Sequence, residues 1–573
     1  MQMLKSFFFL CLLFLLTPLH AQLVNPSFEG KYQAANPNQQ TFSSGAVLSG
    51  EIAKGWSDNS SWANVEIRYS KDDSNPHGGK SCQKITVLRG FAQFGQSIQF
   101  PSGILDASIW VRAEKPILVS LALRLAPAPY TTYGSTVAII GTKWQKVSVQ
   151  GDVPNPVSGY LLINAAGVGT IWLDDAYFHL AKSQIPQYKP IRLTPPPMPI
   201  PDTYFGLNVN HMHDGQGFLW PALRFGAYRT WDSGVIWPQV NPQEGVFNWS
   251  WLDRDVEQSQ LHHAKFLFTL GQTPTWASSV STSHGVYGNG FNMPPAKISY
   301  WDDFIRAVVT RYKGTIEAYE IWNEPDIPDF YDGTPASLAK LEQAAAPIIH
   351  SIDPKALVAI PPMSGNNSLS ALGWLDAYLA AGGGKGCDVM AYHFYNYPAE
   401  RDIPAMQAFK VILYKYGLEK KPIWITENGG NFQGDDIRAV DLLSREYLID
   451  WAIGVQRMYL YAYDNNTYIG LDHYGQPGGA AVLDRSGVAY KEVRRWLLHS
   501  VMLACDRTAR GVWNCKLKRP GGIAWVVWSE AGDETFAIPS DWKVTKSWDL
   551  TGAIRPLNGR SIRISGTPIL LMD

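Results

Sequence analysis

An alternation of apolar, strand-like runs with helical patterns fills the middle of the chain and restricts the fold more than any other feature. Strand-like runs recur eight times between residues 204 and 500, separated by amphipathic stretches such as WDDFIRAVVTRYKG. A helix between two strands returns the chain to the same edge of a sheet, so this alternation favours parallel strands. Eight such units in about 300 residues match a (β/α)8 TIM barrel. The predicted strands are YFGLN, AYRTW, KFLFTL, EAYEIW, LVAIPP, VMAYHF, IWITE and MYLYAY.

The sequence on either side of the barrel has a different texture. Residues 22–180 contain short β-rich runs separated by Gly, Pro, Asn and Asp, which is typical of a β-sandwich. Residues 181–203 include LTPPPMPIPD, and a proline-rich stretch of this kind predicts a stiff linker. Residues 501–573 return to strand patterning and predict a small C-terminal β-sandwich domain against the barrel. The expected architecture is therefore multidomain.

The first 21 residues have the pattern of an export signal. Lys5 precedes the apolar run FFFLCLLFLL, which is too short to span a bilayer, and Pro18 follows it. We expect cleavage after Ala21, which makes the mature protein secreted or periplasmic. No later run is long enough for a membrane span, so we expect no membrane association after signal removal. An uncleaved anchor is the alternative.

Charge and cysteine content exclude several classes of function. The net charge is −1 and the basic residues are scattered, so nothing in the sequence suggests a nucleic-acid partner. No cysteine belongs to a CxxC pair, which argues against metal or redox chemistry through sulfur. Cys505 and Cys515 flank a short segment that a disulfide could close. The 22 Trp, 27 Tyr and 23 Phe residues suit a core, and they equally suit a carbohydrate ligand.

Two glutamates stand where predicted strands end. Glu324 lies in YEIWNEPDIPDF, where Pro325 stops the fourth strand, and Glu427 closes the seventh strand in KPIWITENGGNF. In a barrel both would project from the C-terminal ends of the strands into one mouth. Two facing carboxyl groups are what glycosidic bond cleavage requires, one protonated to donate and one ionised to attack. The sequence alone does not give the distance between them, which separates retention from inversion.

The strand-end motifs resemble a known group of enzymes. WNEP and TEN look like the signature of clan A glycoside hydrolases, and AYRTWDSGVIWPQVNPQEGVFNWSWLD, FLFTLGQTPTWAS and YEIWNEPD resemble glycoside hydrolase family 39. The resemblance covers roughly residues 204–500. It implies a retaining double displacement with Glu324 as acid/base and Glu427 as nucleophile, and no cofactor for catalysis.

The same resemblance implies supporting roles in the site. It implies that Asn323 binds the sugar 2-hydroxyl, that Arg229 supports Glu427, and that His393 and Tyr395 contact the substrate or the nucleophile. A structural ion pair with Glu320 is the alternative for Arg229, and core packing is the alternative for His393. His211 and His213 end the first strand, and we expect at least one of them to contact sugar. Four aromatic residues near predicted strand ends are candidates for a sugar platform, with core packing as the equal alternative for each: Trp237, Trp276, Trp322 and Tyr463. The HMH spacing of the two histidines could also suggest a metal, but no HExxH motif supports one.

The N-terminal module resembles carbohydrate-binding jelly rolls through LVNPSFEG and IWLDDAYF. That resemblance implies a structural calcium held by Glu29 and Asp175, and solvated turn acids are the alternative. Trp56 and Trp62 would stack on sugar or fill the sandwich.

Taken together, the residues and the resemblance predict a secreted retaining glycosidase acting on a plant or microbial polysaccharide or its oligosaccharides. A transglycosylase with the same residues and a non-catalytic glycan-binding protein are the alternatives. The family pattern commonly places a bulky residue after the nucleophile, whereas Asn428 and two glycines stand here. The loops at 278–295 and 464–480 also depart from the family pattern. For these reasons the mechanism transfers better than the substrate.

Overall fold

The structure is a computed structural model that describes residues 23–127, 132–182, 188–213, 220–365, 369–465, 467–472 and 482–573. The predicted export signal and part of the loop at 464–480 lie outside the described residues. The chain divides into two compact units. One contains the described residues up to Leu88 with Ala92–Asn164 and Gly169–Gln184, and the other contains Arg89–Phe91, Ala165–Val168 and Ile185–Asp573.

The first unit is built from two β-sheets, as the sequence predicted. Its core includes Trp56, which is 1% exposed and stacks on Phe94 at 5.3 Å, so this tryptophan fills the sandwich. Trp62, by contrast, is 64% exposed. In order of pairing, the seven-stranded sheet contains Tyr32–Ala34, Val47–Ala53, Glu66–Asp72, Cys82–Arg89, Gly169–Leu180, Gly103–Ala113 and Gln145–Val153. The five-stranded sheet contains Ser57–Asp58, Ala92–Phe100, Val157–Ala165, Ile117–Leu125 and Thr132–Ile140.

Eight parallel strands form the barrel of the second unit, and all eight predicted strands are confirmed. Seven neighbouring pairs form one sheet, and a parallel bridge between Ala359 and Val389 joins the fifth strand to the sixth, which closes the barrel. The strands are almost entirely buried, because helices cover the outside of the sheet and side chains fill the inside. In chain order they are Phe205–Asn208, Ala227–Thr230, Lys265–Leu270, Ala318–Ile321, Leu357–Ala359, Met390–Phe394, Ile423–Asn428 and Val455–Leu460.

Helices follow the second to the eighth strand. Ile298–Arg311 buries one stripe of large side chains that includes Trp301, Phe304 and Val308, which is the spacing of a helix face. Thr334 begins the next helix by accepting a hydrogen bond from the Ser337 amide in a capping box. The α-helices are Trp237–Val240, Ser250–Leu261, Ile298–Arg311, Pro335–Ile352, Leu369–Ala380, Asp402–Lys415, Ile437–Ala452 and Arg485–Leu497, with 3-10 turns at Asp202–Tyr204 and Ala399–Arg401.

The C-terminal residues form a third β-rich region, packed on the barrel. Trp528 donates from its indole nitrogen to Glu400, and Thr567 donates to Asp441, so the sheet is tied to two barrel helix regions. A disulfide joins Cys505 to Cys515 across neighbouring antiparallel strands. The larger sheet contains Ile191–Leu193, Val501–Arg507, Val512–Arg519, Gly522–Ser529, Ile569–Met572, Lys546–Trp548 and Ile554–Pro556, and a pair is formed by Glu534–Ala537 and Ser561–Ile564. Its first strand comes from the stretch that the sequence predicted as a linker.

Among the described residues, none of the helices is long and apolar enough to cross a membrane.

Candidate active site

Glu324 lies three residues beyond the fourth barrel strand, in a strained turn. Trp322 and Glu324 have φ angles of +66° and +40°, a left-handed region that is unfavourable for residues with a Cβ atom. The Glu324 amide donates to the Pro362 carbonyl oxygen at 3.1 Å, which holds this turn against the end of the fifth strand. Glu324 is 8% exposed, so the turn directs its carboxyl group into the barrel mouth rather than into solvent.

Glu427 is part of the seventh strand and is 4% exposed. The next residue, Asn428, donates from its side-chain amide to Asp450 at 2.9 Å. Its backbone carbonyl oxygen accepts a hydrogen bond from the backbone amide of Tyr461 at 2.8 Å. These bonds fix the strand end on both sides of the carboxyl group. Glu427 is thereby positioned by regular sheet structure, whereas Glu324 is positioned by a turn.

His393 connects the two glutamates. Its Nδ1 lies 2.8 Å from a carboxyl oxygen of Glu324 and 3.5 Å from one of Glu427, and its Nε2 lies 3.1 Å from the Thr426 hydroxyl. One oxygen of each glutamate and one ring nitrogen of His393 all lie within 4.8 Å of one another. Burial lowers the pKa of His393 to about 4, so the ring is neutral near pH 7. The sequence had placed these two carboxyl groups in one mouth, and the structure brings them face to face.

Arg229, on the second strand, is the central cation of the site. Its side chain is fully buried and donates to Glu427 at 2.7 Å and to Glu320 at 2.6 Å. Its remaining hydrogen bonds go to the side-chain oxygens of Asn208 at 3.1 Å and Asn323 at 2.6 Å. Arg229 therefore contacts both residues that the sequence offered as its partners, because one guanidinium has enough donors for two carboxylates.

Tyr395 provides a second donor to Glu427. Its hydroxyl lies 2.5 Å from Oε2 of Glu427, while Arg229 bonds to Oε1, so both oxygens of this carboxylate accept a hydrogen bond. Donors to both oxygens favour the ionised form of a carboxyl group. Glu324 has Nδ1 of His393 as its neighbour instead, and His393 is a neutral ring.

The pKa values of both glutamates are raised, but the groups that oppose the rise differ between the two. Burial raises the pKa of Glu324 to about 8; Asp326 adds to the rise and Arg229 opposes it. Burial also raises the pKa of Glu427, and the charge of Arg229 and the hydrogen bond from the Tyr395 hydroxyl oppose that rise. Arg229 lowers the pKa of Glu427, but the effect of burial is larger. Arg229 donates to Glu427 and not to Glu324, which favours the ionised form of Glu427 over that of Glu324.

The described contacts of the other candidate sugar-binding residues go to partners other than the two glutamates. Nδ1 of His211 lies 3.5 Å from Asp464, and the Tyr463 hydroxyl donates to Asp472 at 3.1 Å. Trp276 donates from its indole nitrogen to the Asn241 carbonyl oxygen and packs edge-on against Tyr300. The described contacts bring none of the three to Glu324 or Glu427, so their roles stay predictions. His213 lies 3.0 Å from Asp255, while Trp237 and Trp322 are fully buried core residues.

Sequence reasoning missed four residues around the glutamates. Asp232 follows the second strand directly after Trp231, and it accepts hydrogen bonds from the hydroxyls of Tyr287 and Tyr461. Tyr468 packs on the rings of Tyr461 and Tyr395, with centroids at 5.2 and 5.7 Å. The position of Asp232 just past a strand end was a usable signal. Tyr287 and Tyr468 lie in long loops, and no periodicity marks such positions.

The predicted calcium ligands lie at a single turn of the first unit. Glu29 accepts hydrogen bonds from the amides of Lys80 and Ser81, at 2.5 and 2.9 Å, and Asp175 lies 2.6 Å from Nδ1 of His77. A Cβ atom on Gly79 would lie 2.1 Å from Glu29, so only glycine fits under that carboxylate. These are hard oxygen donors of the kind calcium prefers, already occupied in part by protein donors.

The comparison with known proteins agrees with the geometry of the barrel mouth. Residues 295–466, which include both glutamates, match a family model described as a glycosyl hydrolase catalytic core. A family 39 glycoside hydrolase from Bacteroides cellulosilyticus WH2 has a similar fold, with 16% identity and a TM-score of 0.51 over 80% of this chain and 94% of that chain. A GH39 β-xylosidase from Caulobacter crescentus has 17% identity and a TM-score of 0.48 over 66% of this chain and 97% of that chain.

The barrel and its carboxyl pair define the class of protein as a glycoside hydrolase. The matched catalytic core supports the resemblance to glycoside hydrolases that the strand-end motifs indicated, and the family 39 structure shares the fold.

Proposed function

We propose that this chain is a retaining glycosidase in which Glu427 is the nucleophile and Glu324 the acid/base. The observation that carries the proposal is that one carboxyl oxygen of Glu324 lies within 4.8 Å of one carboxyl oxygen of Glu427. Retaining glycosidases hold their two carboxyl groups about 5–5.5 Å apart, whereas inverting ones need about 6.5–9.5 Å to admit a water molecule. Clan A and family 39, which the chain resembles, are retaining.

The first chemical step forms a glycosyl-enzyme. An oxygen of Glu427 bonds to the anomeric carbon as the bond from that carbon to the leaving oxygen breaks, and Glu324 gives its proton to the leaving group. Arg229 and Tyr395 hold the attacking carboxylate in place through both its oxygens. Asn323, oriented by its bond to Arg229, is the residue proposed to bind the sugar 2-hydroxyl.

The second step reverses the roles. Glu324, now ionised, takes a proton from water, whose oxygen bonds to the anomeric carbon as the bond to Glu427 breaks. The raised pKa of Glu324 suits the first step, because the group is protonated at neutral pH before leaving-group departure. If a sugar hydroxyl takes the place of water, the same residues perform transglycosylation, which product analysis detects.

Replacing Glu427 tests the assignment. We expect Glu427→Ala to lose at least about 10⁴-fold in kcat on aryl glycosides, and azide to restore glycosyl transfer with formation of a glycosyl azide of inverted configuration. Proton NMR of the first product released by the unaltered enzyme should show the anomeric configuration of the substrate. Glu257→Ala, at an exposed helix position, is the matched control. Near-full activity of Glu427→Ala, or an inverted first product, would refute the mechanism.

The cellular setting and the accessory module complete the proposal. We infer that the protein is exported and acts on plant or microbial polysaccharide or its oligosaccharides. The N-terminal signal pattern and the Cys505–Cys515 disulfide support export. For the N-terminal module we propose glycan binding and a structural calcium at Glu29 and Asp175. The jelly-roll resemblance and the position of the two carboxylates at one turn support this proposal. The hydrogen bonds that Glu29 and Asp175 already make within the protein compete with calcium binding.

A further inference from the structure

Asp232 supplies a further carboxylate at the barrel mouth, apart from the two proposed catalytic groups. It comes two residues after the second strand, with a φ angle of +55°, and it is only partly buried. A non-glycine residue in this region costs conformational energy, and such strain is concentrated at functional sites. The Tyr287 and Tyr461 hydroxyls each donate to a different oxygen of its carboxylate. Each oxygen can accept one more hydrogen bond.

The residues around Asp232 build one wall of the site. Tyr287 packs edge-on against Trp231 at 5.5 Å and stacks on Phe330 at 5.8 Å, and Phe330 follows the turn that holds Glu324. Tyr461 contacts Tyr468, which in turn contacts Tyr395, the donor to Glu427. A series of ring contacts therefore runs from Tyr461, which holds Asp232, through Tyr468 and Tyr395 to Glu427.

The charge of the site is strongly negative on this side. Arg229 is the one cation that the described residues place against either glutamate, and its donors are all directed at Glu320, Glu427 and two asparagines. No donor of Arg229 is left for a carboxylate on the substrate. A negatively charged sugar would therefore face Asp232 and Glu427 without a compensating cation among the described residues.

We propose that Asp232 is a specificity-determining residue that accepts hydrogen bonds from the hydroxyls of a neutral sugar in the subsite beside Glu427 and excludes uronic acids. This proposal rests on the proposed function and deepens it by naming the substrate class. A sugar hydroxyl can donate a hydrogen bond to a carboxylate oxygen of Asp232, which is favourable. A carboxylate on the sugar would instead be repelled by the charge of Asp232.

The test compares neutral aryl glycosides with their 6-carboxylate counterparts, such as 4-nitrophenyl glucoside against 4-nitrophenyl glucuronide, within a panel that also includes xylosides and galactosides. We expect the unaltered enzyme to prefer the neutral member of a matched pair by at least 100-fold in kcat/KM. Asp232→Asn should raise KM for the neutral glycoside at least 10-fold. It should also lower the ratio of kcat/KM for the neutral glycoside to kcat/KM for the uronide at least 10-fold. Where turnover is slow, calorimetric binding to Glu427→Ala gives the same comparison.

Tyr287→Phe is the matched variant, because it removes one hydroxyl donor and keeps the carboxylate. It should change KM by a few-fold and leave the preference for neutral sugars intact, which separates charge from packing. Circular dichroism and thermal midpoints show that each variant folds. A preference for uronides, or an unchanged KM and ratio in Asp232→Asn, overturns the proposal. If Glu427→Ala is inactive while Asp232→Asn is unchanged, the mechanism stands and the specificity assignment fails.

Discussion

Two pairs of acidic residues, predicted from the same sequence, ended in opposite environments. Glu324 and Glu427 are buried at the barrel mouth, where burial raises both pKa values. Glu29 is exposed at a turn of the first unit, where the amides of Ser81 and Lys80 lower its pKa. The difference shows that desolvation raises the pKa of a buried carboxyl group, whereas backbone amide donors lower the pKa of an exposed one.

Among substitutions in the two pairs of acidic residues, Glu324→Gln should have the largest effect, and that effect is on the reaction rate. Without a proton donor, we expect kcat to fall about 10²–10⁴-fold on natural glycosides, and less on aryl glycosides whose leaving groups need no proton. The alkaline limb of the pH–rate profile, near the Glu324 pKa of about 8, should disappear. Initial rates across pH 5–10 measure both. Equal losses for good and poor leaving groups would contradict the acid role.

Arg229→Met should have the next largest effect, this time on stability. It leaves Glu320 and Glu427 buried without their cation, and breaking a buried charge pair of this kind costs about 3–5 kcal/mol. Urea denaturation of the variant and the unaltered protein gives the difference. Arg311→Met serves as the control, because the side chains of Arg311 and its partner Asp253 are both partly exposed and we expect a loss of at most about 1 kcal/mol.

The pH dependence of stability gives a further contrast between the environments. The folded-state pKa of Glu324 exceeds its ordinary value of 4.5, so the folded protein binds the extra proton. The stability of the unaltered protein should therefore decline as pH rises from 4.5 towards 8. Glu324→Gln removes this decline, and its thermal midpoint should exceed that of the unaltered protein at pH 9 but not at pH 4. Parallel midpoint curves would show that Glu324 is not protonated in the folded state.

Glu29→Gln should have the smallest effect. It weakens the acceptor for two backbone amides at an exposed turn, which we expect to cost about 1 kcal/mol. Thermal midpoints of the unaltered protein with calcium and with a chelator test the calcium proposal at the same place. A rise with calcium that is lost in both Glu29→Gln and Asp175→Asn supports a calcium site, and identical midpoints with and without calcium reject it.

The sequence predicted the positions of the strands better than the contacts of their side chains. All eight barrel strands, and the placement of Glu324 and Glu427 at the ends of the fourth and seventh, followed from apolar periodicity and from Pro325. The role of Trp56 could not be assigned in the same way, because a tryptophan in the N-terminal module can equally stack on a sugar or fill the core. Only the packing on Phe94 decides that it is core.

The sequence by itself determined the barrel, the two glutamates and the chemistry that such a pair performs, because these depend on periodicity and on residue type at strand ends. The tertiary structure alone decided that the glutamates approach within 4.8 Å, and that Arg229 serves two carboxylates at once. It also brought Asp232 and its tyrosines to the same mouth from the second strand, the eighth strand and a long loop. These contacts join residues far apart in the chain, and no local pattern encodes a distance across a barrel.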